Sequence, residues 1–199
     1  MFRLGLTGGI ASGKSAVAAM LRDLGFPVFS ADAVAHQLME PGQPAHDEIL
    51  QEFGPGVISV DGLVDRPRLA SIVFSDPAKL ARLNRIIHPR VEKMMLQQFD
   101  DCERKGIRDA AFAEAALLIE SGFDKKLDGL VVAWCQPEQQ IARLLARGMT
   151  ELEARQRVGA QLPVEDKKKR ATHIIDCSGT IAATLAQVRE LAAKLRQRA

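Results

Sequence analysis

Gly8-Gly9-Ile10-Ala11-Ser12-Gly13-Lys14-Ser15 reads G-x-x-x-x-G-K-S, a spacing whose chemistry is the binding of phosphate. Glycines let the backbone curl until successive N–H groups point inward as an anion nest. A helix starting at the end of such a loop adds its free N–H groups and the positive end of its dipole. Lys14 brings a mobile ammonium to the β- and γ-phosphates, and the Ser15 hydroxyl is placed to ligate Mg²⁺.

Other residues carry chemistry only by position. Asp32 falls just past the end of a short apolar run, where open α/β sheets place their ligands. A carboxylate there can accept the proton of an attacking hydroxyl, or it can simply cap the helix beginning at Ala33; position alone leaves both open. His88 has proton-exchange chemistry, but a satisfied structural histidine is the commoner outcome. Glu114 follows the apolar end of a third run, and Glu120 lies deeper, on an expected helix; each can approach metal or substrate, or be a solvated or capping carboxylate. Arg143 and Arg147 are four apart on one expected helix face, suited to phosphates or to solvent.

The elements that position these groups alternate. Phe2–Leu6 reads as a buried strand, and Ala16–Leu24 as a helix stopped by Gly25. Phe26–Phe29 makes a second strand and Ala33–Met39 a helix. From Ala45 to about Gly106 the rhythm gives way to helices: Ala45–Phe53, Arg66–Phe74, and Pro77–Phe99 with Asp76 as its N-cap. Pro89 should kink or divide the last of these after His88. Strands resume at Ile107–Ala113, Leu130–Trp134 and His173–Asp176, with Trp134 expected in the core. Pro137 opens a helix closed by Gly148, and Thr150-Glu151-Leu152-Glu153 is a capping box for the next. Gln161-Leu162-Pro163 ends that one, and a charged run, Glu165–Arg170, follows. Thr180 caps a final amphipathic helix, Ile181 to about Arg196.

The 199 residues suffice for one sizeable core with a smaller insertion, and 47% hydrophobic and 26% charged residues are ordinary for a globular protein. A net charge of +2 argues against a protein built around nucleic acid. No apolar run is long enough to span a membrane, and the chain is expected to enter a strand directly, without a signal peptide. Cys102, Cys135 and Cys177 are scattered and odd in number, which suggests reduced thiols and a cytoplasmic location, with neither disulfides nor a zinc site.

Together these segments resemble the dephospho-coenzyme A kinase family nearly end to end. Leu6–Ser15 is similar to the family's L-T-G-G-I-G-S-G-K-S opening, Ala31-Asp32 to the end of its D-A-D segment, and Ile87-His88-Pro89 to its H-P element. Leu117-Leu118-Ile119-Glu120 resembles P-L-L-F-E, Arg143-x-x-x-Arg147 with Thr150 the lid, and Ile174-Ile175-Asp176 the terminal strand. The chain departs from the pattern at Ala11, Ser30, Ala116, Thr172 and Cys177. Ala11 replaces a loop glycine, tolerable where that residue needs no positive φ. Ala116 replaces a proline, which could relax the loop near Glu120.

The resemblance implies an α/β P-loop kinase fold: a central parallel sheet of about five strands flanked by helices, with a helical substrate-binding insertion and a helical lid. It implies a nucleotide-binding core of residues 1–34, 107–140 and 171–199, an acceptor-binding insertion at 35–106 and a lid at 141–170. The implied reaction is transfer from ATP, with Mg²⁺, to the ribose 3′-hydroxyl of dephospho-coenzyme A, giving coenzyme A and ADP. In that reading Asp32, Lys14 and Arg143 are catalytic. Gly9, Ile10, Ala11, Ser12, Gly13, Lys14, Ser15, Ala16 and Arg147 bind ATP, Asp32, His88, Leu117 and Glu120 contact the acceptor, and Ser15 takes the metal. The implied partners are ATP and dephospho-coenzyme A, without nucleic acid or membrane, and the protein is expected as a monomer or small homo-oligomer. Rival readings are a nucleoside monophosphate or shikimate kinase, a tRNA prenyltransferase-type enzyme and a nucleotide-dependent switch.

Overall fold

Runs that are apolar on both faces can be satisfied only inside a parallel sheet covered on both sides, and the chain makes five such strands. The computed structural model describes residues 1–197, so residues 198 and 199 of the expected core lie outside the described residues. Two compact units form, one from Met1–Ser30 with the chain from Phe99 onward, the other from Ala31–Gln98.

In the first unit the strands are β1 (Phe2–Gly8), β2 (Val28–Ser30), β3 (Ala110–Glu114), β4 (Gly129–Trp134) and β5 (His173–Asp176). They are all parallel, in the order β2-β3-β1-β4-β5. Register sets Leu4 of β1 beside Phe112 of β3 and Gly129 of β4, so β1 is central, and the connections that leave the neighbours β1 and β4 run to opposite sides, to β2 and to β5. That reversal is where open α/β sheets bind ligands, beyond the strands' C-terminal ends.

The helices of this unit are α1 (Lys14–Asp23) and, further along, α6 (Pro137–Leu145), α7 (Glu151–Gly159), α8 (Val164–Arg170) and α9 (Ile181–Gln197). Val17 and Leu21 of α1 and Val188 and Leu191 of α9 join Leu6, Phe112 and Val131 of the sheet in one core. Burying each such side chain stabilises the fold by about 1.5–3 kcal/mol. The expected capping box forms: Thr150 Oγ1 accepts from the Glu153 amide at 3.3 Å while Glu153 accepts from the Thr150 amide at 2.9 Å. Thr172 ties a strand edge, its hydroxyl accepting from the Leu130 amide and donating to the Leu130 carbonyl, both at 3.0 Å.

The second unit holds α2 (Ala31–Leu38), α3 (Pro44–Phe53), α4 (Arg66–Phe74) and most of α5 (Pro77–Arg104), up to Gln98. Ile58 and Val64 pair antiparallel around the turn at Asp61-Gly62. His46, 8% exposed, bonds the Gly62 carbonyl at 2.9 Å and Asp47 at 3.1 Å, closing this turn onto α3.

Three expectations fail here for local reasons. Pro89 does not divide its helix: α5 runs through it, and the Arg90 side chain folds back to donate from Nη1 to the Ile86 carbonyl at 2.6 Å. A proline removes one donor and crowds the preceding turn, and a long packed helix tolerates both. Glu120 is not helical, because Ala116–Gly122 is a run of turns. Trp134 is half-buried rather than core, with the Lys168 ammonium 4.3 Å from its ring centroid and its indole N–H on Glu165 at 3.0 Å.

Candidate active site

The site starts where β1 ends. An ideal Cβ on Gly8 would lie 2.5 Å from the Ala133 carbonyl oxygen, so only glycine lets the chain leave β1 this close to β4. Gly13, with φ of 106°, caps α1 through its backbone, and a Cβ there would sit 2.8 Å from Cys177 Cβ. Between them Ala11 takes a φ of 56°, so the alanine that replaces a glycine does need the left-handed region, at roughly 1–2 kcal/mol. Its carbonyl is held by Arg143.

Of the amides expected to cradle phosphate, those of Ile10, Ser12 and Ala16 already donate, to Gln161 Oε1 at 2.8 Å, Gly9 O at 3.1 Å and Gly13 O at 3.0 Å. Those of Gly13, Lys14 and Ser15 open α1 with no acceptor among the described residues. They form a nest for an anion, with the helix dipole behind it. Ser12 is buried in the same turn and its hydroxyl has no partner among the described residues.

Lys14 Nζ lies 2.6 Å from Glu114 Oε1, and Arg22 reaches the other oxygen at 3.3 Å. Both Lys14 and Glu114 side chains are largely buried, 14% and 9% exposed, so neither charge could be left alone cheaply. Glu114 ends β3, one strand from β1, in register with Leu6. With two cations on one carboxylate, this corner keeps a positive excess.

Ser15 lies exposed on the first turn of α1. Among the described residues no group of three or more His, Cys, Asp or Glu is arranged to hold a metal ion. Mg²⁺ is commonly held by one or two protein oxygens and completed by substrate phosphates and water. The Ser15 hydroxyl is such an oxygen.

Arg143 donates from Nη1 to the Ala11 carbonyl at 3.0 Å and from Nη2 to the Cys177 carbonyl at 2.7 Å. It therefore joins the phosphate loop to the turn after β5. Arg147 does not share its helix face: α6 ends at Leu145, and Arg147 and Gly148 tighten into turns on the Leu144 and Leu145 carbonyls. Arg147 is exposed.

Glu120 pairs at 2.9 Å with Lys167, which is fully buried, and accepts the Leu162 amide at 3.1 Å. Lys167 also donates to the Ala116 carbonyl at 2.7 Å, so the missing proline at 116 leaves a pinned turn. Leu117 in that turn is 44% exposed. Burial raises the thiol pKa of Cys177 to about 11 and pushes that of Cys135 up as well, which keeps both unreactive.

Asp32 and His88 belong to the Ala31–Gln98 unit. Asp32 lies within the first turn of α2 rather than before it, exposed, with no side-chain partner among the described residues. His88 is half-buried on α5, and burial pushes its pKa down. The structure thus gathers Lys14, Ser15, Arg143 and the loop around one nest. Sequence reasoning missed Gln140, Gln161 and Lys167; the Gln140–Arg143 spacing of three, one helix face, was the available signal for the first.

A phosphate nest between β1 and α1 of a parallel sheet in this strand order defines a P-loop kinase. The family model for dephospho-CoA kinase matches residues 2–183. The dephospho-CoA kinase of Symbiobacterium thermophilum is 46% identical over 186 residues, 93% of this chain and 77% of the relative. Among solved structures, TT1252 from Thermus thermophilus superposes with a TM-score of 0.84 at 34% identity, covering 98% of this chain and 97% of the other. Dephospho-CoA kinase from Campylobacter jejuni shares the fold, with a TM-score of 0.75 at 24% identity over 99% and 98% of the two chains. The chain belongs to the dephospho-CoA kinase family.

Proposed function

We propose that the protein transfers the γ-phosphoryl group of ATP to the ribose 3′-hydroxyl of dephospho-coenzyme A, yielding coenzyme A and ADP. The observation that carries this reading is the nest of open amides beside Lys14, in a chain matched by its family model over residues 2–183. The amides of Gly13, Lys14 and Ser15 hold the phosphates. Lys14 exchanges part of its contact with Glu114 for the transferred group, whose spreading charge it bears. Arg143 supports the loop and, with Arg147, adds positive charge to the phosphate side.

Asp32, two residues beyond β2, orients the acceptor hydroxyl and takes its proton. His88, Leu117 and Glu120 contact the acceptor, the insertion at 35–106 receives it, and the segment 141–170 closes over the phosphates to exclude water. Ser15 holds Mg²⁺, which when bound neutralises charge on the β- and γ-oxygens. Phosphoryl transfer rests on such positioning and electrostatics, so no covalent enzyme intermediate is required.

Purified protein given ATP, Mg²⁺ and dephospho-coenzyme A should form coenzyme A and ADP in equal amounts, leaving nucleoside monophosphates and shikimate unphosphorylated. ATP hydrolysis that ignores the acceptor would overturn the assignment.

A further inference from the structure

The phosphate loop is gripped from outside by side chains that play no part in the motif. Gln161, in the connection from α7 to α8, accepts the Ile10 N–H on Oε1 at 2.8 Å. Gln140 on α6 donates Nε2–H to the Ile10 carbonyl at 2.9 Å. The chemistry fixes both amide orientations, since a backbone N–H only donates and a carbonyl only accepts. Gln140 is 3% exposed and occupies the space a Cβ on Gly9 would need, 2.2 Å from its Nε2. The gripped residue immediately precedes Ala11, whose left-handed φ of 56° is unique to it among the described non-glycine residues. A strained loop persists only when its surroundings over-determine it.

We propose that Gln140 and Gln161 are positioning residues that hold the Ile10 backbone from both sides and so fix the loop's open amides before nucleotide arrives. The proposal rests on the reading that this loop binds the phosphates of ATP. Without the grip, the loop must be ordered at the moment of binding, and that entropy is lost from nucleotide affinity. The effect therefore belongs to ATP affinity more than to the rate of transfer once ATP is bound.

The test is titration calorimetry of ATP with Mg²⁺ on folded Gln140→Met, Gln161→Met, Gln140→Glu and Gln161→Glu, alongside wild type. Each methionine keeps the side chain's length and removes its hydrogen bond, and should weaken ATP about tenfold. Their ATP KM should rise by more than kcat at saturating ATP falls.

The glutamates add the same charge on either side of one residue, so their comparison reports bond direction. Gln161→Glu keeps an acceptor for Ile10 N–H, whereas Gln140→Glu sets a carboxylate against a carbonyl. The first should bind ATP about tenfold more tightly than the second. Equal binding by the two glutamates, or wild-type affinity in both methionine variants, would overturn the proposal. Should the methionine variants fail to fold, the glutamate pair decides. A wild-type protein that binds no ATP would instead overturn the phosphate-binding reading itself.

Discussion

In the unit built on the parallel sheet, most of the ionised side chains at the site are already engaged, though Arg147 is exposed: Lys14 with Glu114, Arg143 with the Ala11 and Cys177 carbonyls, Glu120 with Lys167. In the Ala31–Gln98 unit, Asp32 is exposed without a side-chain partner among the described residues, and His88 is half-buried. The difference follows from what each side is proposed to handle. A polyphosphate is bound by fixed dipoles and charges, which act best when they need not reorganise. A group that removes a proton must instead be open to the hydroxyl it serves.

Breaking the engaged side should cost most. Lys14→Ala should lower turnover at least ~10²-fold with the fold kept, because it removes charge aimed at the transferred group and leaves Glu114 with Arg22 alone. A coupled ADP assay with circular dichroism checks both halves of that statement. Asp32→Asn should also lower turnover at least ~10²-fold, but with little change in thermal stability, since its carboxylate has no side-chain partner to lose and only its interaction with the α2 dipole is given up. Near-wild-type turnover in that variant would remove Asp32 as the base.

Arg143→Ala should follow, reducing turnover about tenfold or more through the two carbonyls it leaves unpaired. Arg196→Ala, at the end of α9, should change turnover little. Equal kinetic effects of the two arginines would contradict the link between Arg143 and the loop.

The smallest effects are in the second unit and depend on pH. Burial lowers the pKa of His88 below its ordinary 6.5, so the unfolded chain takes up the proton first and this histidine lowers stability as pH falls through that value. The hydrogen bond to Asp47, and then the Gly62 carbonyl, raise that of His46. Its contribution is full below 6.5 and is lost as pH rises through the folded-state value. Thermal melts on either side of 6.5 should show His88→Gln relieving acid sensitivity and His46→Gln destabilising mainly in acid. The same pH response in both variants would mean that the two imidazoles are not held as described.

Much of the fold was legible because its signals are local. The spans expected for α4, from Arg66 to Phe74, and for β5, from His173 to Asp176, agree residue for residue. The loop and α1 follow from the motif. What was not legible depends on contacts far along the chain. Ala11 is held left-handed by Arg143, 132 residues away, and Ile10 by Gln161, 151 residues away. Lys167 reads as one more charge in a solvated run, yet it is fully buried because Glu120 and the Ala116 carbonyl receive it. Arg147 fell outside its helix because α6 tightens into turns before the glycine that was expected to close it.

The most direct measurement is mass spectrometry of dephospho-coenzyme A after incubation with the purified protein, ATP and Mg²⁺, run beside Asp32→Asn. Wild type should convert the acceptor into a product heavier by one phosphoryl group, with a matching yield of ADP, and the variant should leave it almost unchanged. An unaltered acceptor in the wild-type reaction, with ATP bound or hydrolysed all the same, would contradict the central claim.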